Sequence, residues 1–200
     1  MDERDIQAAI MRLKKGDIGG LESLVRAFQV KAVRTAYLIT SDQGLAEDVV
    51  QAAFVRVYER IDQFDIHRPF QPWFMRIVTN AALQATKKQK RQISLDKDMT
   101  NAEVDLSFID LLADETPGPE TQAEAEELRD TVQQALFALS PDQRAVIVLK
   151  YYLDYSEREM AEELQSPPGT IKWRLHAARK QLGVLLRRYQ NPLPAEQGEG

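Results

Sequence analysis

The chain has 200 residues, 44% of them hydrophobic and 28% charged, with a net charge of −5. That length accommodates one large domain or two small ones with a real core, and no apolar run approaches the ~20 residues that span a bilayer. There is no cysteine and there are only two histidines, His67 and His176, which excludes disulfides, thiolate zinc centres and cysteine nucleophiles and argues against a histidine-rich metal site. No metal and no cofactor are expected. The cysteine-free composition fits a reducing cytoplasm, and the opening Met1-Asp-Glu-Arg is unlike a signal peptide.

The acidic balance alone argues against a nucleic-acid partner, but its distribution reverses that impression. Residues 1–92 carry 15 Lys/Arg against 11 Asp/Glu, a balance of +4. Residues 93–120 carry one Lys and eight acids, −7, and residues 121–200 carry 10 against 12, −2. The net-basic first stretch is thus followed by acidic ones, and six of the ten basic residues of the last are gathered between Pro168 and Arg188; local fields rather than net charge govern binding to a polyanion.

The hydrophobic period is helical almost throughout, which predicts an all-α protein. Ile6, Ile10 and Leu13 mark a short first helix ending near Gly16. Gly19-Gly20 opens a second, with Leu21, Leu24, Val25, Phe28, Ala32, Tyr37 and Leu38 on its buried face. Ser41-Asp42 reads as an N-cap region for a third helix over about 43–61, which buries Leu45, Val49, Val50, Ala53, Phe54 and Val57. After a loop to Pro69, a fourth helix over about 70–90 begins with aromatics and ends in Lys87-Lys88-Gln-Lys90-Arg91.

Residues 93–120 lose the period, are dense in acids and contain Thr116-Pro-Gly-Pro119, the composition of an interdomain linker. The second domain spans about 121–188. Leu128, Val132, Leu136 and Leu139 predict one helix, and Ser140-Pro141-Asp142 starts the next. From Asn191 the composition is that of a disordered tail.

Three constellations stand out. In Ser156–Lys180 a short acidic helix, a breaker-rich turn and a basic helix form a helix-turn-helix pattern. Between Pro168 and Arg188 lie six Lys/Arg and no acid. Ala161, Leu164, Ile171, Leu175, Ala178 and Leu182 would pack inward. Thr170, Lys172, Trp173, His176, Ala177 and Lys180 would face outward, toward base edges and phosphates of a duplex. The competing reading is an ordinary helical hairpin with a solvated basic face. Trp173 either packs on the domain or stacks on a sugar or thymine methyl.

The second constellation is Phe64, Phe70, Trp73, Phe74, Arg76 and Asn80, followed by the basic cluster 87–91. Aromatics among cationic and amide groups suit single-stranded DNA, or else form an aromatic core. The third is the stretch from Ala46 to Phe54, where Asp48 and Gln51 lie three apart on one helix face. The residues alone allow no more than a polar helix surface there. Adjacent carboxylates such as Glu162-Glu163 point apart on a helix, and no phosphate loop, nucleophile elbow or zinc-protease motif occurs. No enzyme is expected.

Together these stretches resemble bacterial sigma factors of the extracytoplasmic-function group, the minimal sigma-70 type. Ala46-Glu-Asp-Val-Val-Gln-Ala-Ala-Phe-Val-Arg-Val-Tyr58 is similar to that family's region 2.2, and Phe70-Gln-Pro-Trp-Phe-Met-Arg-Ile-Val-Thr-Asn80 to regions 2.3 and 2.4. Leu139-Ser-Pro-Asp-Gln-Arg144 and Gly169-Thr-Ile-Lys-Trp-Arg-Leu-His-Ala-Ala-Arg179 are similar to region 4. The resemblance covers about 20–188, with the linker matching only in character.

It implies a sigma2-like domain over 1–92, an acidic linker over 93–120, a sigma4-like helix-turn-helix domain over 121–188 and a tail over 189–200. Asp48, Gln51 and Phe54 would dock core RNA polymerase, whose β and β′ subunits would be the partners. Phe64, Trp73, Arg76 and Asn80, with Lys87 and Lys88, would hold and open the promoter −10 element. Thr170, Lys172, Trp173, Arg174, His176, Arg179 and Lys180 would meet the −35 element as duplex. The resemblance further implies a stress- or envelope-responsive role and, as for many members, an anti-sigma partner, with no membrane insertion. Departures are Gln165, Ser166 and Pro167, where the family often has Gly, a hydrophobic residue and Ser or Pro, and Trp173 and Ala177, where it often has Ser and Arg. The alternative is a stand-alone helix-turn-helix regulator, which would need a dimer and a palindromic site and leaves residues 44–92 unexplained.

Overall fold

The computed structural model describes residues 1–93 and 119–190. All regular structure among them is helical. Helix α1 (Glu3–Lys14) is started by Asp2, whose carboxylate accepts from the Asp5 amide at 2.9 Å while Asp5 reaches back to the Asp2 amide at 3.2 Å. This reciprocal pair satisfies two amides that the helix cannot. Gly16, at φ 82°, turns the chain in a conformation that a side chain resists. Helix α2 (Gly19–Thr40) then folds back on α1. A Cβ at Gly20 would run into the backbone of Ala9 and Leu13, so glycine sets how closely the two helices approach.

Helix α3 (Gln43–Arg60) is capped by Asp42, which accepts from the Leu45 amide at 2.9 Å. The other oxygen of Asp42 accepts from Gln89 at 3.1 Å, tying the start of α3 to helix α4 (Phe70–Ile93). Phe28 on α2, Phe54 on α3 and Phe70 and Phe74 on α4 meet at the centre, with ring centroids 4.6 to 6.1 Å apart. Burying each such ring is worth about 1.5–3 kcal/mol, so these residues hold the three long helices together.

Helix α5 (Pro119–Phe137), α6 (Pro141–Tyr151), α7 (Glu157–Glu163) and α8 (Pro168–Gln190) follow. Ser140 with Gln143 and Ser156 with Glu159 form capping boxes, and Pro141 occupies the first turn of α6. The bulk of the linker expected over 93–120 and the tail from Asn191 lie outside the described residues. Leu136 and Leu139 are buried as expected, but Leu128 is 59% and Val132 41% exposed. Val132 lines an open cleft with Arg34, Leu38 and Tyr152, so it meets neighbours without being covered by them.

The two helical groups share one buried apolar cluster. Their junction centres on the buried guanidinium of Arg144. Its Nε donates to the Ile39 carbonyl at 2.8 Å, and a terminal nitrogen donates to the carbonyls of Phe137 (2.9 Å) and Leu139 (3.1 Å). Ile39 lies in the last turn of α2 and Phe137 ends α5, so one cation serves two helix C-termini whose carbonyls lack helical partners. Tyr37 adds an edge contact to Phe137 at 5.3 Å and accepts from Gln133 at 3.1 Å.

Candidate nucleic-acid interface

Helix α8 is positioned by the turn before it. Helix α7 ends in a Schellman arrangement, with the Ser166 amide donating to the Ala161 carbonyl at 3.0 Å and the Gln165 amide to Glu162 at 3.4 Å. Gln165 carries the left-handed conformation this motif demands, at φ 48°, where the resembled family often has glycine. From Pro168 onward, Ile171, Leu175 and Ala178 point inward and are buried, the spacing of one helical face.

Lys172, Trp173, His176, Arg179 and Lys180 therefore project outward, with Thr170, Arg174 and Ala177 half-buried at the flanks. Trp173 is 69% exposed, which rules out packing on its own domain in this arrangement. Arg179 is held by Tyr151, donating to its hydroxyl at 2.7 Å with the guanidinium 5.6 Å from the ring centre.

The aromatic constellation divides into core and surface. Phe70 and Phe74 are buried, and so is Phe64, only 3% exposed. Phe64 packs 5.6 Å from Phe70 and 4.9 Å from Trp73, so it braces Trp73 rather than facing solvent. Trp73, Arg76 and Asn80 lie at i, i+3 and i+7 on one face of α4 and are half-buried.

On one side this face opens on a cleft of about 350 Å³, lined also by Arg56, Arg60, Gln63 and Ile77. Three arginines and no acid line it. Arg60 was not singled out in the sequence. The signal was available, because Arg56 and Arg60 are four apart on α3 and so share a face that only the fold turns toward α4. On the other side lies a larger cleft of about 490 Å³, where Trp73 and Arg76 look across to Tyr155, Glu159, Glu162 and Glu163. Asn80 donates to the Glu163 carbonyl at 3.2 Å. Burial pushes the Glu163 carboxyl up to about 8, against the opposing pull of Arg76. The Tyr155 hydroxyl is also raised, by burial and then by Glu163 and Glu159.

Lys87 and Lys88 are exposed near the end of α4, and Lys87 sits 3.7 Å from Asp142. On α3, Asp48 and Gln51 are exposed, whereas Phe54 is 7% exposed with its ring against Phe74. Gln51 and Phe54 line an apolar groove of about 500 Å³ between α2 and α3, rimmed by the exposed Ile18, Val55 and Tyr58; Asp48 does not line it. No cluster of three potential metal ligands occurs among the described residues, nor is any helix there long and apolar enough to cross a membrane.

Sequence comparison agrees with this arrangement. The family described as sigma-70 region 2 matches residues 24–92, and sigma-70 region 4 matches residues 129–182. The ECF RNA polymerase sigma factor SigW of Bacillus subtilis is 36% identical over 185 residues, covering 92% of this chain and 98% of that protein. The ECF sigma-E factor of Escherichia coli K12 is 32% identical over 177 residues, 87% of this chain and 90% of that protein. Among solved structures, the Bartonella quintana sigma factor RpoE, in complex with the anti-sigma factor NepR, superposes with a TM-score of 0.62 at 22% identity, covering 83% of this chain and 96% of that one. With Trp73, Arg76 and Asn80 on one face of α4 and a cationic α8 beyond them, the chain belongs to the extracytoplasmic-function sigma factors of the sigma-70 family.

Proposed function

We propose that this chain recruits core RNA polymerase to promoters in the cytoplasm, with polymerase supplying the chemistry, and that its two DNA-facing surfaces divide the promoter between them. Lys172, Trp173, Arg174 and His176, with Thr170 ahead of them and Arg179 and Lys180 behind, meet the −35 element as duplex, where an exposed helix face suits the major groove. Trp73, Arg76 and Asn80, braced by Phe64, hold the opened −10 strand, and Lys87 and Lys88 meet its phosphates. The arginine-lined cleft beside Trp73 is the observation that carries this reading. A ring, an amide and several cations converge there, which suits an unstacked base and its backbone.

Asp48 and Gln51, with the groove walled by Phe54, dock the polymerase. The exposed apolar rim of that groove favours a protein partner over solvent. The division into a unit over 1–92 and a second over 121–188 fits these roles. An anti-sigma partner is part of the proposal, supported by the anti-sigma factor bound to the solved relative.

Transcription reconstituted from the purified chain, core polymerase and a panel of genomic fragments tests the reading. Discrete starts dependent on the chain are expected, with Asn80→Ala reducing them. A panel with no dependent start sinks it.

A further inference from the structure

Helix α1 lies ahead of residues 24–92, the stretch that matches sigma-70 region 2. Its last turn carries Lys14, directly after Leu13, which is buried where α1 meets Gly20 of α2. Packing therefore fixes the register of α1, and with it the place from which Lys14 reaches out.

Lys14 reaches across the fold to the loop that follows α3. Its ammonium donates to the Phe64 carbonyl at 2.7 Å and, over a longer 3.4 Å, to the Asp62 carbonyl. Lys14 is half-buried and forms no ion pair among the described residues. Its charge is directed at two main-chain carbonyls instead. An ammonium has three donors and serves two acceptors at once, and a bond from a charged donor is shorter and stronger than a neutral one.

Those two carbonyls flank Gln63. Gln63 ends the single 3-10 turn Ile61–Gln63, and its exposed side chain lines the arginine cleft beside Trp73, Arg76 and Asn80. Phe64, the next residue, puts its ring 4.9 Å from that of Trp73. Beyond it the chain closes on itself. The His67 amide donates to the Asp65 carboxylate and the Arg68 amide to the Asp65 carbonyl, both at 3.0 Å. Such a turn holds its own shape but not its place against α4. The ring of Phe64 sets how deeply the loop sits, and Lys14 sets how its backbone is turned, hence where Gln63 points.

We propose that Lys14 is a positioning residue for promoter opening. By holding the carbonyls on either side of Gln63 it sets the loop over 61–68 against the strand-gripping face of α4, so that α1 takes part in −10 recognition without touching DNA. This rests on the assignment of that face to the opened strand.

The test uses the full chain with core polymerase on a promoter found by the reconstituted transcription described above, with each base of the opened non-template strand varied in turn. Permanganate oxidation of unpaired thymines reads opening. Binding to core polymerase and the urea midpoint are read alongside. Lys14→Met lowers opening about tenfold and flattens the preference among bases, the scale of one lost base contact. Lys14→Arg, which keeps a cation with several donors, restores the preference. Lys15→Met removes the neighbouring exposed cation and leaves opening within about twofold.

An equal fall from Lys15→Met would overturn the proposal, because the effect would be lost charge alone. So would a Lys14→Met chain that opens poorly with its base preference intact and its urea midpoint lowered, the mark of a merely structural residue. If Lys14→Met does not fold, Lys14→Gln decides: a flattened preference supports the tether and an intact one removes it. Unchanged opening in Lys14→Met while Asn80→Ala still lowers it would sink the tether and leave the strand assignment standing. If neither substitution alters opening, the strand assignment falls and the tether with it.

Discussion

The side-chain amide of Asn80 donates a 3.2 Å hydrogen bond to the main-chain carbonyl of Glu163, 83 residues further along the chain. The bond joins the centre of α4 to the end of α7 and thus couples the two helical groups at the candidate strand site. It also explains why Glu163, adjacent to Glu162 in sequence, behaves differently. Neighbouring residues on a helix point apart, so Glu162 stays in solvent while Glu163 is carried into the junction.

Stability should depend on pH through Glu163. Its carboxyl titrates near 8 in the folded chain, because burial outweighs the pull of Arg76, against an ordinary value of 4.5. The folded chain therefore keeps a proton that the unfolded chain loses, and this contribution to stability declines as pH rises from about 4.5 to about 8, then levels off. The groups facing or lining the same cleft are Arg76 of α4, Arg68 and Asp65 of the preceding loop, Tyr155, and Glu159 and Glu162 of α7. Urea midpoints at pH 5.5 and 8.5 should differ by more in the unaltered chain than in Glu163→Gln. Equal differences would remove Glu163 from the account.

Arg144 should be among the costliest polar residues to replace. Burial lowers its pKa to about 10, which leaves it charged at neutral pH. Three carbonyls, rather than a carboxylate, compensate the charge. Arg144→Met would strand those acceptors at two helix ends and should cost about 2–4 kcal/mol in urea unfolding. A loss below about 1 kcal/mol would mean that the junction repacks without it.

Gln165→Gly should stabilise the chain. Gln165 occupies the left-handed position of the Schellman turn at φ 48°, which costs a non-glycine residue about 1–2 kcal/mol. The greater freedom of glycine in the unfolded chain returns part of that gain. A net increase of about 0.5–1 kcal/mol is expected from thermal unfolding, with α8 still placed to meet DNA. A decrease would show that the glutamine side chain contributes contacts of its own.

Trp173 and Lys172 should separate stacking from charge. With Trp173 so exposed, Trp173→Ala should leave the melting temperature unchanged while weakening binding to cognate duplex in titrations. Lys172→Ala should weaken binding uniformly across sequences and reduce the slope of log K against log salt by about 1. A fall in melting temperature for Trp173→Ala would mean that the ring packs after all.

Much of this architecture is legible in local sequence. The starts of α1, α3, α6 and α7 are written in Asp2, Asp42, Ser140 and Ser156, since a cap needs only one short polar side chain at the right place. The outward face of α8 follows from the spacing of Ile171, Leu175 and Ala178. The split of the aromatics is less legible. Phe64 and Trp73 look alike as ring-bearing residues, and burial of one and partial exposure of the other depend on where the loop before Pro69 folds. Leu128 and Val132 show the opposite failure, in which a helical apolar period includes positions that the fold leaves open to solvent.

The sequence by itself determined the helices, their caps, the two basic stretches and the family, because these depend on periodicity and on short runs of neighbouring residues. Only the tertiary structure decided that Arg56 and Arg60 join Arg76 in one cleft, that Arg144 serves two helix ends, and that Glu163 lies over the face carrying Asn80. Those relationships join residues far apart in the chain. Their energies come from burial and from the orientation of distant carbonyls and carboxylates, which no local pattern encodes.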